Sequence, residues 1–151
     1  MNEEKICSFF GHRDVEITDE LLAKTTAEIE KSVDFGCRIF YFGGFSDFDA
    51  LCYQIVTKLK EQTPEIKRVF CVPLEKYIRK NAPYFKREDY DEIIYLQPTL
   101  EGWYKSIYFR NCAMIDNSDL IIFCVEERKN SGAYKTYEYA QKKRKFSINV
   151  K

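Results

Sequence analysis

The chain has 151 residues, a length typical of one domain, and 45% of them are apolar, which excludes a disordered chain. Lysine and arginine number 24, as do aspartate and glutamate, so the formal net charge is zero. Zero net charge argues against a protein that holds nucleic acid by bulk charge, although it allows a local basic patch. The single histidine excludes polyhistidine metal sites and a two-histidine mechanism.

No segment has the pattern of an export signal or a membrane span. The apolar run at residues 6–10 is too short for a signal-peptide core, and no apolar run approaches the ~20 residues that cross a bilayer. We therefore expect a cytoplasmic protein without a membrane partner.

No two of the six cysteines have CxxC spacing, and most lie in apolar stretches. Reduced core thiols are expected, and no metal site is predicted.

Short apolar runs alternate with amphipathic stretches along the chain. The runs predict strands over residues 6–10, 38–42, 68–72, 92–96, 119–125 and 146–150. The amphipathic stretches predict helices over about residues 19–34, 48–61, 103–117 and 134–143. Thr18 or Asp19 could cap the first helix, and Gly36 ends it.

This alternation predicts an α/β fold. Parallel strands need crossover connections, so the pattern indicates a mainly parallel sheet of about six strands with helices on both faces. We expect a three-layer sandwich in a single domain over residues 1–151. The strand order cannot be read from the sequence. The proline-rich and charged segment at 73–102 lies between strands, and its position suggests a lid.

Three loops are expected at one edge of the sheet, where ligands bind in such folds. Small or charged residues follow the first, second and fifth strands. They are Gly11, His12 and Arg13; then Gly43, Gly44, Ser46 and Asp49; then a polar loop that ends at Ser131 and Gly132. Because these loops share the edge, they predict one pocket.

The Gly43-Gly44 turn suits an anion. Glycine lets the backbone approach a ligand closely, and the helix behind it offers unpaired N–H groups. The alternative is a tight turn in which Ser46 caps the helix and Asp49 is its capping-box partner. Neither GxGxxG nor GxxxxGK[ST] is present.

Ser131-Gly132 repeats this arrangement, with Lys135 and Thr136 in the first turns of the helix. Two such helix starts indicate a phosphorylated ligand, against the alternative of a plain loop. Arg13 could pair with phosphate or carboxylate. His12 could titrate near neutrality or be structural.

Arg110-Asn111 lies on the apolar helix before the most apolar strand. Burying an arginine alone is costly, so Arg110 forms a salt bridge, lies on an exposed face or clamps a ligand. The basic run 142–145 is a solvated helix end or, alternatively, a nucleic-acid contact.

These segments together resemble the SLOG superfamily of Rossmann-like proteins, in particular its small bacterial and phage branch. The resemblance spans about residues 5–150. It rests on Gly11-His12-Arg13, on Gly43-Gly44 with Asp49, on the run from Arg110 to Phe123 that leads into the loop with Ser131-Gly132, and on Tyr139-Ala140. The superfamily includes the lonely-guy phosphoribohydrolases and proteins related to the DNA-processing protein DprA.

The resemblance implies a nucleotide-derived ligand over the strand ends, without a separate cofactor, and a homodimer. In the phosphoribohydrolases an arginine that Arg110 matches and a glutamate in PGGxGTxxE carry catalysis. Here Ser131-Gly132-Ala133 replaces glycine-glycine-threonine, and Thr136 stands at the glutamate position. The resemblance therefore favours binding over hydrolysis.

Three functions follow from these patterns. The first is binding or sensing of a nucleotide-derived ligand, with phosphate held by Arg13 and Arg110 and ribose hydroxyls by Asp49 or Asp47. The second is a nucleoside-monophosphate phosphoribohydrolase. Its acid would be one of four carboxylates: Glu138, Glu126, Glu127 or Asp49. The third is DNA processing, with bases stacked on tyrosines, although zero net charge makes nucleic acid the least favoured partner. The tyrosines are Tyr41, Tyr104, Tyr108, Tyr134 and Tyr137.

Overall fold

Strands and helices alternate along the chain. The structure is a computed structural model that describes residues 4–44, 46–74, 86–96, 103–128 and 131–151. The strands are β1 (Lys5–Gly11), β2 (Cys37–Phe42), β3 (Lys67–Cys71), β4 (Glu92–Ile94), β5 (Leu120–Cys124) and β6 (Ser147–Asn149). The helices are α1 (Asp19–Phe35), α2 (Asp47–Lys60), α3 (Trp103–Asp116) and α4 (Gly132–Lys142), with a 3-10 turn at Arg87–Asp89.

Every predicted strand and helix is present, and each boundary lies within two residues of its prediction. The largest differences are the start of α4, two residues earlier than expected, and the end of β4, two residues earlier. Most of the predicted lid at 73–102 lies outside the described residues.

The six strands form one sheet in the order β4-β3-β2-β1-β5-β6, and every pair is parallel. The sheet is therefore wholly parallel rather than mainly so. β1 lies in the middle, with β2 on one side and β5 on the other. From β1 the chain builds the sheet first in one direction, through β2, β3 and β4, and then in the other, through β5 and β6. The topological switch point therefore lies between β1 and β5, where a crevice is expected at the carboxyl edge.

Helices cover both faces of the sheet, which makes three layers. Alternate residues of β1 point to opposite faces, as the pleat requires. Cys7 and Phe9 pack with residues of α1 and α2, whereas Phe10 packs with Met114 of α3 and Ala140 of α4. The large rings of the sequence fill this interior.

All six cysteines are buried and unpaired. Burial raises the pKa of the Cys71 thiol to about 12, so this group stays a neutral, apolar core atom.

Ser118 and Asp119 join β5 to β1. The Asp119 carboxylate accepts the Ile6 N–H at 2.9 Å, and the Asp119 N–H donates to the Ile6 carbonyl at 2.8 Å. Ser118 Oγ donates to the Met114 carbonyl at the end of α3 and lies 2.6 Å from Ser8 Oγ. These bonds fix the register of the central strand pair, so this part of the resemblance motif has a structural role.

Gly11, where β1 reaches the carboxyl edge, has no room for a side chain. A Cβ there would lie 2.6 Å from Phe48 Cβ in the first turn of α2. This contact sets how closely the β1 loop approaches α2.

We predict that Gly11→Ala lowers the free energy of unfolding by about 1–3 kcal/mol, because the added methyl overpacks a filled site. Gly132→Ala is the control, because a Cβ at Gly132 has nothing within 4 Å. Urea unfolding of both variants tests this, and equal midpoints for the two would contradict the close contact at Gly11.

Candidate functional site

A cavity of about 1150 Å³ opens at the carboxyl edge of the sheet, at the switch point between β1 and β5. Its walls come from the ends of β1 and β2, the start of α2, one side of α3 and the start of α4. All the predicted site residues line it. They are Gly11, His12, Arg13, Gly43, Gly44, Ser46, Asp49, Arg110, Asn111, Ser131, Gly132 and Lys135.

His12 joins the loop after β1 to the loop after β5. Its Nε2 lies 2.9 Å from the Glu126 amide nitrogen and 3.1 Å from the Glu126 carbonyl oxygen, and its Nδ1 lies 3.2 Å from Ser131 Oγ. In one tautomer Nε2 accepts the Glu126 N–H and Nδ1 donates to Ser131; in the other Nε2 donates to the Glu126 carbonyl and Nδ1 accepts from Ser131. Burial and the nearby Arg128 lower the pKa of His12, which keeps the ring neutral. His12 is thus a positioning residue for two of the three loops.

Ser131 caps α4, as the sequence indicates. Its Oγ accepts the Tyr134 N–H at 3.2 Å. α4 begins at Gly132 because this cap precedes it. The first amides of α4 therefore point toward the cavity edge, where the helix carries partial positive charge.

Asp49 organises the Gly43-Gly44 turn. Its two carboxylate oxygens accept the N–H groups of Gly43 and Gly44 at 3.1 and 3.2 Å. The Asp49 N–H donates to Ser46 Oγ, which confirms Ser46 as the N-cap of α2. A capping box would instead return the Asp49 carboxylate to the Ser46 N–H. The two glycine amides already have an acceptor within the chain.

Asp49 as a whole residue is 6% exposed. Burial raises its pKa to about 6, although the two glycine amides and the positive charge of Arg110 oppose the shift. Folding therefore favours its protonated form. Its contribution to stability falls as the pH rises from about 4 to 6, because only the folded state holds the proton there.

Arg110 is 3% exposed and bonds to backbone carbonyls. Its Nη1 donates to the carbonyls of Gly43 at 3.1 Å and Cys71 at 2.8 Å, and its Nε donates to Asn111 Oδ1 at 2.9 Å. The guanidinium thus holds the ends of β2 and β3 against α3. The burial of Arg110 rules out an exposed helix face, and among the described residues its hydrogen bonds go to carbonyl and amide oxygens. A Cβ on Gly43 would lie 2.7 Å from Arg110 Nη2, so glycine is required for this approach.

Asn111 extends the network to α4. Its Nδ2 donates to Thr136 Oγ1 at 3.3 Å, and that hydroxyl donates to the Gly132 carbonyl at 2.9 Å. Thr136 stands where the phosphoribohydrolase resemblance expects a glutamate, and it is buried. This position therefore ties α4 to α3.

The cavity is strongly cationic for a neutral chain. Five of its lining residues are basic and two are acidic. Arg13, Lys105 and Lys135 are exposed, and their side chains make no ion pair or hydrogen bond within the described residues. Arg128 is paired with Glu126. An anionic ligand would thus meet three exposed cations, Arg13, Lys105 and Lys135, that pair with no acidic side chain in the described part of the chain.

Sequence reasoning missed several lining residues. They are Phe9, Phe10, Asp14, Lys105, Ile107, Phe109, Arg128 and Ala133, together with Tyr108, which the sequence indicated only as a ring for base stacking. Ile107, Tyr108 and Phe109 form an apolar wall on α3, and Phe109 is 44% exposed. Helical spacing could have found two of them, because Ile107 and Tyr108 lie three residues before Arg110 and Asn111.

The four carboxylates named for hydrolysis do not gather in the cavity. Asp49 alone among them lines it. Glu138, Glu126 and Glu127 are exposed outside its lining. Asp47 also lies outside it, and its carboxylate accepts the Val15 N–H at 3.3 Å. The described residues therefore offer hydrolysis one buried carboxylate, already bonded to the two glycine amides.

The tyrosines named for base stacking are dispersed. Tyr41 is buried in the core, Tyr108 lines the cavity, and Tyr134 and Tyr137 stack on each other at 5.9 Å. The side chain of Tyr104 lies outside the described residues.

The basic run 142–145 lies at the end of α4, where Lys145 Nζ donates to the carbonyls of Asp116 and Ser118. This lysine serves as a structural contact.

Solved structures similar to this chain include DNA processing protein A from Helicobacter pylori, whose structure concerns single-stranded DNA binding. The match has a TM-score of 0.64 and 18% identity, and covers 95% of this chain and 63% of that chain. This chain thus spans less than two thirds of that protein. A molybdenum cofactor carrier protein from Chlamydomonas reinhardtii matches with a TM-score of 0.60 and 13% identity, over 97% of this chain and 76% of the other. The fold is Rossmann-like.

No protein-family model matches the chain, and no curated protein matches it significantly. In the described part of the chain, no helix has the length and apolar character that crossing a membrane requires.

We predict that Arg110→Ala lowers the free energy of unfolding by about 2–4 kcal/mol, because charge-assisted hydrogen bonds to two carbonyls are lost. Arg13→Ala is the control on the same cavity, and its exposed side chain predicts a change within about 0.5 kcal/mol. Urea unfolding measures both. Equal effects would show that the guanidinium does not hold the strand ends.

We predict that His12 makes stability depend on pH. Its lowered pKa means that the folded state resists protonation, so its contribution is complete above pH ~6.5 and is lost as the pH falls through the lower, folded-state value. The unfolding free energy of the wild type minus that of His12→Asn should therefore decrease on acidification. A difference that stays constant between pH 7.5 and 5 would contradict the lowered pKa of His12. Both proteins contain Asp49, so its opposite effect on the unfolding free energy cancels in the difference.

Proposed function

We propose that this protein binds a phosphorylated, nucleotide-derived ligand in the cavity at the carboxyl edge of the sheet. One observation carries the proposal: in a chain without net charge, the cavity at the switch point gathers five basic and two acidic residues beside an apolar wall. The excess of basic residues suits a phosphate group, and the apolar wall suits a base or another ring.

The phosphate end fits near the start of α4. Arg13 and Lys135 are exposed cations on this cavity, and the first amides of α4 lack intrahelical acceptors. Gly43, Gly44 and Arg110 contribute differently from the sequence expectation. The two glycine amides bond to Asp49 and the guanidinium bonds to carbonyls, so these residues shape the cavity wall and add a positive field.

The ring end fits the α3 wall. Tyr108 and Phe109 offer aromatic surface, and their ring centroids are 5.9 Å apart. Ile107 adds an aliphatic contact. Stacking on such side chains is worth about 1–3 kcal/mol per base and tolerates different bases. This wall supports the binding of nucleotides as a class rather than of one particular base.

The SLOG resemblance supports this proposal, and so does the similarity to two proteins described as binding single-stranded DNA and carrying a molybdenum cofactor. We include in the proposal a single SLOG-type domain, a homodimer and a cytoplasmic location. Hydrolysis is the less favoured candidate, because Asp49 is the one named acid on the cavity and both its oxygens hold amides. One observation favours DNA processing: the exposed Phe109 ring lies beside a cationic cavity.

We predict that adenosine monophosphate raises the melting temperature of the protein and that adenosine does so much less. At a hundred times the dissociation constant, binding adds about 2.7 kcal/mol. Arg13→Ala and Lys135→Ala should each weaken binding roughly tenfold, because each removes a charge-assisted contact. Lys58→Ala, at an exposed α2 position outside the cavity lining, is the matched control.

No stabilisation of folded wild type by any nucleoside monophosphate would overturn the proposal. Release of free adenine in the same incubations, abolished by Asp49→Asn, would establish the hydrolase instead. Salt-sensitive binding of single-stranded DNA in preference to mononucleotides would favour DNA processing.

A further inference from the structure

A second, smaller cavity adjoins the first. It has a volume of about 300 Å³ and shares Gly44, Ser46 and Asp49 with the main cavity. Its other lining residues come from the outer side of α2 and from the end of the 3-10 turn: Ala50, Tyr53, Gln54, Asp89 and Tyr90. The two cavities therefore meet at the turn between β2 and α2. We call the smaller one the side cavity.

The side cavity has the opposite electrostatic character to the main one. Its described lining includes two carboxylates, Asp49 and Asp89, and no lysine or arginine. A phosphate would gain no cation there. The complementary occupant is an uncharged or cationic group, whereas the main cavity suits an anion.

Two aromatic rings form a firm wall in the side cavity. The rings of Tyr53 and Tyr90 meet edge to face at 5.4 Å, and both pack on Phe42 of β2. The Tyr53 hydroxyl donates to the Asp89 carbonyl and accepts from Arg68 Nη1 at 3.3 Å. These contacts hold the wall in place before any ligand arrives, which lowers the cost of binding a flat ring.

The polar groups at the rim suit a heterocycle. The side chains of Gln54 and Asp89 are exposed and make no hydrogen bond within the described residues. The Gln54 amide can donate and accept, and the Asp89 carboxylate accepts. An amino-substituted nitrogen heterocycle presents the matching donors and acceptors. Gly44, which lines both cavities, has no side chain and has φ at 71°.

We propose that the ligand has two ends, with its phosphates in the main cavity and a second heterocyclic ring in the side cavity. The chemical class is a pyrophosphate-linked dinucleotide. This inference rests on the proposed function, because it places the phosphates where that function requires them. It adds that the site selects for the second nucleoside.

Binding of ADP and of diadenosine pyrophosphate tests the inference, because the two probes differ by the second adenosine. Diadenosine pyrophosphate should bind the wild type roughly tenfold tighter, as stacking of one more base predicts. Ala50→Leu, which fills the side cavity from an exposed helical position, should abolish this gain and leave ADP affinity within about twofold. Ala27→Leu on the exposed side of α1 is the matched control and should keep the gain.

The outcomes separate the inference from the proposed function. If ADP binds but diadenosine pyrophosphate binds no tighter, or Ala50→Leu keeps the gain, the inference is overturned and the function stands. If neither probe binds the wild type, the function falls, and the NMR signal of the Gln54 side-chain amide decides the side cavity. A shift with adenosine in the wild type and Ala27→Leu but not in Ala50→Leu supports the ring subsite, and no shift overturns it.

Discussion

The buried guanidinium of Arg110 is the interaction on which the cavity depends. It binds the carbonyls of Gly43 and Cys71, at the ends of two neighbouring strands, and is held in turn by Asn111. A cation in this position needs compensation, because burial in a low-dielectric interior is costly. The two carbonyls, the Asn111 amide oxygen and the field of Asp49 supply it. The requirement for glycine at position 43 follows from the same contact.

The balance between Arg110 and Asp49 leaves the outer cations available. Asp49 bonds to the glycine amides rather than forming a direct ion pair with Arg13 or Lys135. The acidic residues of the chain lie mostly elsewhere on the surface, where several pair with lysines, such as Glu20 with Lys24 and Glu92 with Lys67. Overall neutrality and a cationic cavity therefore coexist, and composition alone could not reveal the cavity. Its field acts at short range, within the screening length of physiological salt.

The sequence predicted the elements well because their signals are local. The apolar runs and the caps at Thr18, Ser46 and Ser131 depend on neighbouring residues. The strand order depends on contacts such as Ile6 with Asp119, which lie far apart in the sequence and carry no pattern. The same division applies to the site. Its loop residues follow from the rule that ligands bind at strand ends, whereas the direction of the Arg110 side chain depends on tertiary packing.

The α3 wall was missed for a related reason. Helix residues reach the cavity across the edge of the sheet, so no strand end precedes them in the sequence. The side cavity depends on the 3-10 turn packing against α2 through Tyr53 and Asp89, a contact between residues 36 positions apart. Neither the turn nor α2 has a motif of its own there.

The position of β1 at the centre of the sheet has a consequence for folding. β1 pairs with β2 soon after both are made, but its other partner, β5, begins at Leu120. During synthesis one edge of β1, which carries Phe9 and Phe10, therefore stays unpaired until more than a hundred further residues have been made. Such non-local pairing slows folding and leaves an apolar edge open to other chains. Nascent chains of this protein are expected to need chaperone protection until the fifth strand leaves the ribosome.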